Sequence, residues 1–185
     1  MRVLILSWEY PPVVEGGLAR HVRKLAEGLL RDGVEVHVLT RGSARLAERE
    51  DRRGVIVHRV REKPYPKELP QFIAWVRRMN DDMLAAGRML ADELDFDLVH
   101  GHDWLVAVAG KRLADEAGVP FITTIHATEY GRHQGWVHRP PMSDIHRTER
   151  WMAHCADQVI VCSHYMRGHV ADVYDLEEDR VAVIP

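Results

Sequence analysis

Cysteine is scarce in this sequence: two occur in 185 residues, Cys155 and Cys162. Both lie in or beside an apolar segment, and a single pair is too few for a disulfide framework. Cysteines in such a setting are typical of small buried residues in a reducing compartment. The cytoplasm is therefore the predicted location.

Long apolar runs and an excess of basic charge are also missing. No stretch approaches the roughly 20 apolar residues that a membrane-spanning helix needs. The short apolar start soon meets Glu9 and two prolines, which predicts a buried strand and not a signal peptide. With 25 Lys and Arg against 28 Asp and Glu, a net charge of −3 gives no basic surface for nucleic acid. The sequence predicts neither a membrane span nor nucleic-acid binding.

What the sequence does contain is an alternation of short apolar runs and longer helical patterns. Strands are predicted over 3–6, 34–40, 55–60, 96–100, 121–125, 159–162 and 180–184, helices over 17–32, 71–94, 103–117, 143–155 and 163–174, and loops over 41–53 and 126–142. Continuous apolar strands separated by helices predict a parallel sheet covered on both faces. The handedness of the crossovers makes this a Rossmann-like, doubly wound α/β fold.

Several residues at the ends of these segments have the chemistry of helix caps. Gly33 and Gly118 are predicted to end helices, because glycine readily takes the left-handed conformation found there. Ser143 and Ser163 are predicted to begin helices by accepting a backbone N–H. Asp103 has the same capping chemistry, which is one interpretation of its position.

A pair of glycines, Gly16 and Gly17, follows the first strand and precedes the first helix. Ligands of open parallel sheets bind outside the carboxyl ends of the strands, and a helix N-terminus offers unpaired N–H groups to an anion such as a phosphate. The spacing matches neither the dinucleotide fingerprint nor a P-loop. The alternative is a plain tight turn that uses glycine for a positive φ.

Histidines close two further strands, His102 near the fourth and His126 at the fifth, and both should meet the glycine turn at one sheet edge. A neutral imidazole there can donate or accept a hydrogen bond near neutral pH. His102 is alternatively a structural residue with its hydrogen bonds satisfied. A third interpretation is a metal-dependent hydrolase that uses His100, His102 and Asp103 as ligands.

Six ordered motifs resemble those of glycosyltransferase family 4 enzymes close to glycogen and starch synthases. They are S-W-E-Y-P-P at 7–12, G-G-L-A-R-H-V at 16–22, V-H-G-H-D-W at 99–104, T-I-H at 124–126, D-Q-V-I-V-C-S at 157–163 and V-A-V-I-P at 181–185. The resemblance covers essentially the whole chain. It implies a GT-B glycosyltransferase, in which two Rossmann-like domains face a cleft.

The resemblance also implies a reaction and its partners. Such enzymes transfer a sugar, with retention and without a bound metal or other cofactor, from a nucleotide sugar of the UDP- or ADP-glucose class to a glycan acceptor. Residues 1–185 would be the N-terminal, acceptor-binding domain. The nucleotide-binding C-terminal domain, with its E-x(7)-E motif, has no counterpart in this sequence, and the isolated chain is expected to be inactive.

The implied site residues follow the matched motifs. Gly16 and Gly17 would bind the donor diphosphate, and His126 would be catalytic beside the transferred sugar, through its backbone carbonyl or its ring. The acceptor and sugar side would be lined by Glu9, Tyr10, His102, Asp103 and Trp104. Glycogen synthases usually have K-T-G-G-L-A-D where this chain has Val14 to Arg20, which favours the broader family. A non-catalytic sugar-binding domain is the remaining alternative.

Overall fold

The computed structural model of the chain describes residues 1–61, 64–66 and 68–185. The strands are β1 (Arg2–Ser7), β2 (Glu35–Gly42), β3 (Arg49–Arg52), β4 (Val55–Arg61), β5 (Leu98–His102), β6 (Phe121–Thr124), β7 (Gln158–Val161) and β8 (Val181–Val183). The helices are α1 (Leu18–Arg31), α2 (Leu69–Glu93), α3 (Ala107–Ala117), α4 (Glu129–Arg132), α5 (Met142–Cys155) and α6 (His164–Tyr174), with 3-10 turns at Trp104–Val106 and Glu178–Arg180. No helix in the described ranges is both long and apolar enough to cross a bilayer.

Across the described ranges, eight strands form one sheet in the order β3-β4-β2-β1-β5-β6-β7-β8. Every neighbouring pair is parallel except β3 and β4, which pair antiparallel at one edge. From β1 the chain builds outward first through β2 and then, in the other direction, through β5. The carboxyl ends of β1 and β5 are therefore the topological switch point, where open α/β sheets bind ligands.

Both faces of the sheet are buried, as the side chains of β1 show. Leu4 and Leu6 belong to the hydrophobic core under α2, α3 and α5, whereas Val3 and Ile5 belong to a second core under α1. Successive strand residues point to opposite faces, so a strand buried on both sides has no polar alternation. The predicted doubly wound, Rossmann-like fold is confirmed.

Two segments predicted as loops contain regular structure, and the predictions for 41–53 and 126–142 were wrong in this respect. β3 is a charged edge strand whose Glu50 carboxylate pairs with the guanidinium of Arg59 on β4 at 2.7 Å. Charged side chains suit a solvent-facing edge but erase the apolar signal on which strand prediction depends. α4 is a single turn capped by Thr128, too short for a helical period to be visible.

The predicted caps were partly right. Gly118 takes the left-handed conformation at the end of α3, with φ of 67°, and Gly33 does so just beyond α1, with φ of 79°. Ser163 caps α6 by accepting the N–H of Met166 at 3.2 Å. Ser143 is not a cap, because α5 begins one residue earlier and Pro141 takes the cap position.

A pair of buried histidines between β2 and β4 makes the stability of the fold depend on pH. His37 Nδ1 and His58 Nε2 share a hydrogen bond at 2.9 Å, and the rings stack almost parallel. Burial, with smaller contributions from His37 and Arg49, lowers the pKa of His58 to about 4. The unfolded chain binds a proton at His58 below about pH 6.5, whereas the folded chain does not until about pH 4.

We therefore expect the free energy of unfolding to fall as the pH is lowered from 6.5 to 4, and His58→Gln to remove part of that slope. One proton contributes about 1.4 kcal/mol per pH unit at most. Urea unfolding of both proteins at pH 7, 6 and 5 measures the difference. Parallel curves of stability against pH would contradict this origin of the slope.

Candidate functional site

A cavity of about 320 Å³ lies at the carboxyl ends of β1, β5 and β6, at the topological switch point. Its lining includes six of the eight residues predicted from the sequence: Glu9, Gly16, Gly17, Asp103, Trp104 and His126. Segments far apart in the sequence thus meet at one sheet edge. The other two, Tyr10 and His102, are not among the lining residues.

The glycine turn does not owe its glycines to a positive φ. Gly17, at the N-cap position of α1, has φ of −73°, and Gly16 is not among the glycines with positive φ. A Cβ added to Gly17 would meet no atom within 4 Å, and one added to Gly16 would lie 3.9 Å from Glu9 Oε1. The plain tight turn therefore does not explain the two glycines. They leave open space in front of the start of α1.

Glu9 fixes that turn from within. Its carboxylate is buried and accepts hydrogen bonds from the N–H groups of Gly16 at 3.0 Å, Ala19 at 3.1 Å and Glu15. A negative charge at a helix N-terminus is favourable because the first N–H groups lack intrahelical partners. Within the described part of the chain, the N–H groups of Gly17 and Leu18 have no acceptor. Glu9 thus shapes the turn and leaves those two N–H groups for another anion.

Arg41, at the end of β2, anchors the loop that leads into the turn. Its side chain is almost fully buried, donates from Nε to the carbonyl oxygen of Trp8 at 2.8 Å, and pairs with the carboxylate of Glu15. The guanidinium also lies over the Trp8 ring, 4.8 Å from its centroid. Sequence reasoning missed this residue because a charged side chain beside a charged segment was assigned to a loop.

His126 lies two residues beyond β6 and is held through both its backbone and its ring. Its N–H donates to Asp103 Oδ1 at 2.9 Å, and its ring Nε2 shares a hydrogen bond with His102 Nδ1 at 3.1 Å. The thiol of Cys162 lies 4.0 Å from the other ring nitrogen. Burial lowers the pKa of His126 to about 4, so the imidazole is neutral at pH 7.

Asp103 is a positioning residue for His126 and not a helix cap. Its backbone has a positive φ of 60° with ψ of 171°, and its side chain makes no capping hydrogen bond to the 3-10 turn that follows. Its carboxylate instead holds the backbone of His126, as described above. Burial raises the pKa of Asp103 to about 6, against the opposing effect of the hydrogen bond from His126.

His102 lies behind His126 and supports it. The side chain is fully buried, stacks on His100 with 4.4 Å between ring centroids, and has no partner for Nε2 among the described residues. Burial holds its pKa well below the usual value. The structure does not bring His100, His102 and Asp103 together as metal ligands. His100 Nε2 is bonded to Thr124 Oγ1 at 2.7 Å, and Asp103 is bonded to His126.

The two aromatic residues predicted for the acceptor side have different surroundings. Tyr10 is buried in the core under α1, with Val3 and Val22, so its predicted acceptor contact has no support here. Trp104 lines the cavity, and its indole N–H is buried without an acceptor in the described ranges. An indole N–H is a donor only, so a ligand oxygen in the cavity would complete it.

Arg132 adds a positive charge to the same cavity, and sequence reasoning did not single it out. It ends α4, its side chain is half exposed, and its guanidinium lies 3.6 Å from the carboxylate of Glu129. In the sequence, Arg132 can be noticed only because it follows His126 by six residues. The sequence predicts an irregular loop over 126–142, and such a loop gives no position for the Arg132 side chain.

A buried carboxylate on α5 holds the segment between His126 and Arg132. Glu149 is 1% exposed, accepts the N–H of Glu129 at 2.9 and 3.0 Å, and accepts the hydroxyl of Tyr174 at 2.7 Å. Burial raises its pKa to about 7. This contact fixes the start of α4 and with it the direction of the chain beyond His126.

We expect Glu149→Ala to lower the free energy of unfolding by about 2–4 kcal/mol, because a buried N–H and a buried hydroxyl both lose their acceptor. Tyr174→Phe removes only the hydroxyl and should cost about 1 kcal/mol. Urea denaturation at pH 7 measures both. Equal losses in the two variants would show that the contact to Glu129 contributes nothing.

The architecture matches solved structures of glycosyltransferases over the whole chain. Sucrose-phosphate synthase from Thermosynechococcus elongatus superposes with a TM-score of 0.82 at 18% identity, covering 100% of this chain and 47% of that one. The catalytic domain of starch synthase IV from Arabidopsis thaliana, bound to ADP and acarbose, gives a TM-score of 0.64 at 15% identity, covering 99% of this chain and 50% of that one. These neighbours define the class of the fold, which is Rossmann-like and resembles one half of GT-B glycosyltransferases.

The sequence comparisons then identify the family. The profile of Glycosyltransferase Family 4 matches residues 15–185, so the chain belongs to that family. A glycogen synthase of Mycobacterium tuberculosis is 38% identical over 186 residues, which cover 94% of this chain and 45% of that protein. An uncharacterized glycosyltransferase of Methanocaldococcus jannaschii is 36% identical over 184 residues, which cover 100% of this chain and 45% of that protein. The chain thus spans a little under half the length of these relatives.

Proposed function

We propose that this chain forms the diphosphate- and acceptor-binding wall of a retaining glycosyltransferase that transfers glucose or a related hexose from a nucleotide sugar to a glycan. The observation that carries the proposal is the meeting of the Gly16-Gly17 turn and the neutral His126 in one cavity. The opposite wall would be a C-terminal domain that binds the nucleotide. On this account the 185 residues alone transfer little sugar.

The donor diphosphate would bind at the start of α1. The N–H groups of Gly17 and Leu18 have no acceptor in the described ranges, and the helix N-terminus attracts negative charge. The absence of a side chain at Gly17 allows close approach of the phosphates. Arg132, which lines the same cavity and pairs with Glu129, offers guanidinium N–H groups to the departing diphosphate.

The transferred sugar would lie against His126. Transfer breaks the bond between the anomeric carbon and a diphosphate oxygen, and the acceptor hydroxyl forms the new bond to that carbon. Its proton passes to the departing diphosphate. Positive charge develops on the sugar as the bond breaks, and the carbonyl or the neutral ring of His126 can stabilise that charge or hold a sugar hydroxyl. A protonated ring would repel it.

The acceptor side would be completed by Trp104, whose indole N–H lacks an acceptor within the described residues. A glycan offers hydroxyl oxygens to such a donor and an apolar ring face to the indole. The glycogen synthase relative supports an α-glucan acceptor, and the starch synthase neighbour, bound to ADP and acarbose, supports a nucleotide sugar donor. The cytoplasmic location stays a prediction.

A transfer assay of the full-length protein that contains this chain tests the proposal. UDP- and ADP-glucose are offered with glycogen or a maltooligosaccharide, and chain elongation is measured with and without a chelator. We expect elongation with one or both donors, unchanged by the chelator. A protein that neither transfers nor hydrolyses sugar from any nucleotide sugar in a wider panel would overturn the proposal.

A further inference from the structure

Three imidazoles from three different elements meet beside the cavity. His21 lies in α1, His102 ends β5, and His126 follows β6. One ring nitrogen from each residue can be chosen so that all three lie within 4.8 Å of one another. The ring centroids of His21 and His126 are 4.6 Å apart, and those of His21 and His102 are 5.7 Å apart. Across the described ranges this is the one group of three or more such residues with a spacing that suits a metal ion.

One pair of nitrogens in the cluster already has the spacing of two ligands on a single ion. Two nitrogens bound to one tetrahedral Zn²⁺ at about 2.0–2.1 Å lie roughly 3.3 Å from each other. His102 Nδ1 and His126 Nε2 are already 3.1 Å apart. His21 is partly exposed, so metal binding would require a shift of its side chain to bring a nitrogen to the same spacing.

The orientation of the His102 ring is set by its surroundings, because the side chain is fully buried and stacks on His100. Its Nδ1 faces His126, and its Nε2, on the other side of the ring, has no hydrogen-bond partner among the described residues. Metal binding through Nδ1 therefore displaces only the one hydrogen bond to His126. The backbone around the cluster is also fixed, because β5 and β6 are inner strands of the sheet and Asp103 holds His126.

We propose that His21, His102 and His126 bind one zinc-class transition-metal ion, and that the bound ion inhibits the proposed transfer reaction. Three imidazoles suit Zn²⁺, Co²⁺ or Ni²⁺, whereas Mg²⁺ and Ca²⁺ require oxygen ligands, which this cluster does not offer. Binding replaces the hydrogen bond between His102 and His126. The ring that donates that bond moves its proton to its other nitrogen, so no net proton is lost.

The inhibitory part rests on the proposed function. An ion held by His126 fixes its ring and places two positive charges next to the sugar. The transferred sugar becomes positively charged as its bond to the diphosphate breaks, so a neighbouring dication raises the energy of that transition state. Zinc is therefore expected to lower the rate, and a chelator is expected to restore it.

Zinc binding is measured first, by calorimetric titration of Zn²⁺ into the metal-free 185-residue chain, with Co²⁺ absorption as a second probe of the ligand geometry. We expect one site per chain, weakened at least about 100-fold in His21→Ala, since loss of a direct ligand exceeds the loss of a supporting contact. His164→Ala, which removes an exposed histidine outside the cluster, is the matched control and should bind normally. Equal affinity in His21→Ala and in the original chain would overturn the site.

Inhibition is then measured with the full-length protein. His21→Ala should transfer sugar at the normal rate without added metal and should resist zinc that inhibits both the original protein and His164→Ala. Tight zinc binding with unchanged transfer would overturn the inhibitory role alone. If the full-length protein transfers no sugar, the proposed function fails, while the titration still decides whether the metal site exists.

Discussion

Replacement of His126 by alanine is expected to slow sugar transfer by the full-length protein by about 100-fold or more, the usual cost of removing one preorganised polar group at a transition state. The ring is neutral, partly exposed to the cavity and held by His102, so it is ready to contact the sugar without reorganisation. Because the contact strengthens as charge develops, kcat should fall more than the affinity for the nucleotide sugar.

His164→Ala is the control for a general effect of losing a histidine, because His164 is exposed at the start of α6. Its kcat should be unchanged. Nucleotide-sugar binding by His126→Ala is measured in parallel. Transfer at the normal rate by His126→Ala would remove its side chain from the mechanism, and loss of both binding and transfer would assign it a structural role.

Replacement of Asp103 by alanine is expected to reduce kcat by about 10- to 100-fold, because a displacement of about 1 Å in a reacting group has a cost of that order. The variant leaves the partly buried N–H of His126 without an acceptor and should also lose about 1 kcal/mol of folding free energy. Alanine is further disfavoured by the positive φ of 60° at this position.

Asp103→Asn separates positioning from stability. Asparagine has nearly the same shape as the aspartate that adopts this backbone, so the variant should fold. Its neutral amide oxygen accepts the N–H of His126 less strongly than a carboxylate does, so kcat should lie between the values of the original protein and Asp103→Ala. The pKa of Asp103 is about 6. Below that pH the carboxyl is protonated and accepts the N–H less strongly, so kcat/KM of the original protein should fall on the acid side.

The dependence of kcat/KM on pH therefore distinguishes a positioning role of Asp103 from a purely structural one. Asp103→Asn should lack the acid limb near pH 6, which leaves a flatter dependence of kcat/KM on pH. An identical acid limb in the original protein and in Asp103→Asn would show that another group causes it. Stability against pH, measured by urea unfolding, excludes partial unfolding as the source.

The fold could be predicted where burial produces a regular pattern of apolar residues in the sequence. The strand at 3–6 is a continuous apolar run because both faces of the sheet are covered. The strand at 34–40 could be predicted from its alternation of apolar and polar residues. β3 was not predictable because its residues are Arg, Glu, Asp and Arg, and only pairing with β4 makes it a strand. The single turn of α4 also depends on a tertiary contact, because the Glu149 carboxylate accepts the N–H of Glu129 at its start.

The positions of the site residues were predictable from topology, and their contacts were not. Gly16 and His126 could be placed at one edge because parallel strands end on the same side of a sheet. That Glu9 would turn its carboxylate onto α1, and that Tyr10 would pack into the core, depends on the path of the loop at 8–15. Arg41 fixes that path by donating a hydrogen bond to the carbonyl oxygen of Trp8. The two residues are 33 positions apart, so no local sequence pattern indicates the contact.

The most direct test of the proposed site is hydrogen–deuterium exchange of the full-length protein with and without its nucleotide sugar. The account predicts slower exchange at the N–H groups of Gly17 and Leu18, which lack an acceptor among the described residues, and in the segment at His126. Backbone segments of β3, at the far edge of the sheet, should be unchanged. Unaltered exchange at Gly17 and Leu18, in the presence of saturating nucleotide sugar, would contradict the central claim that this turn binds the donor diphosphate.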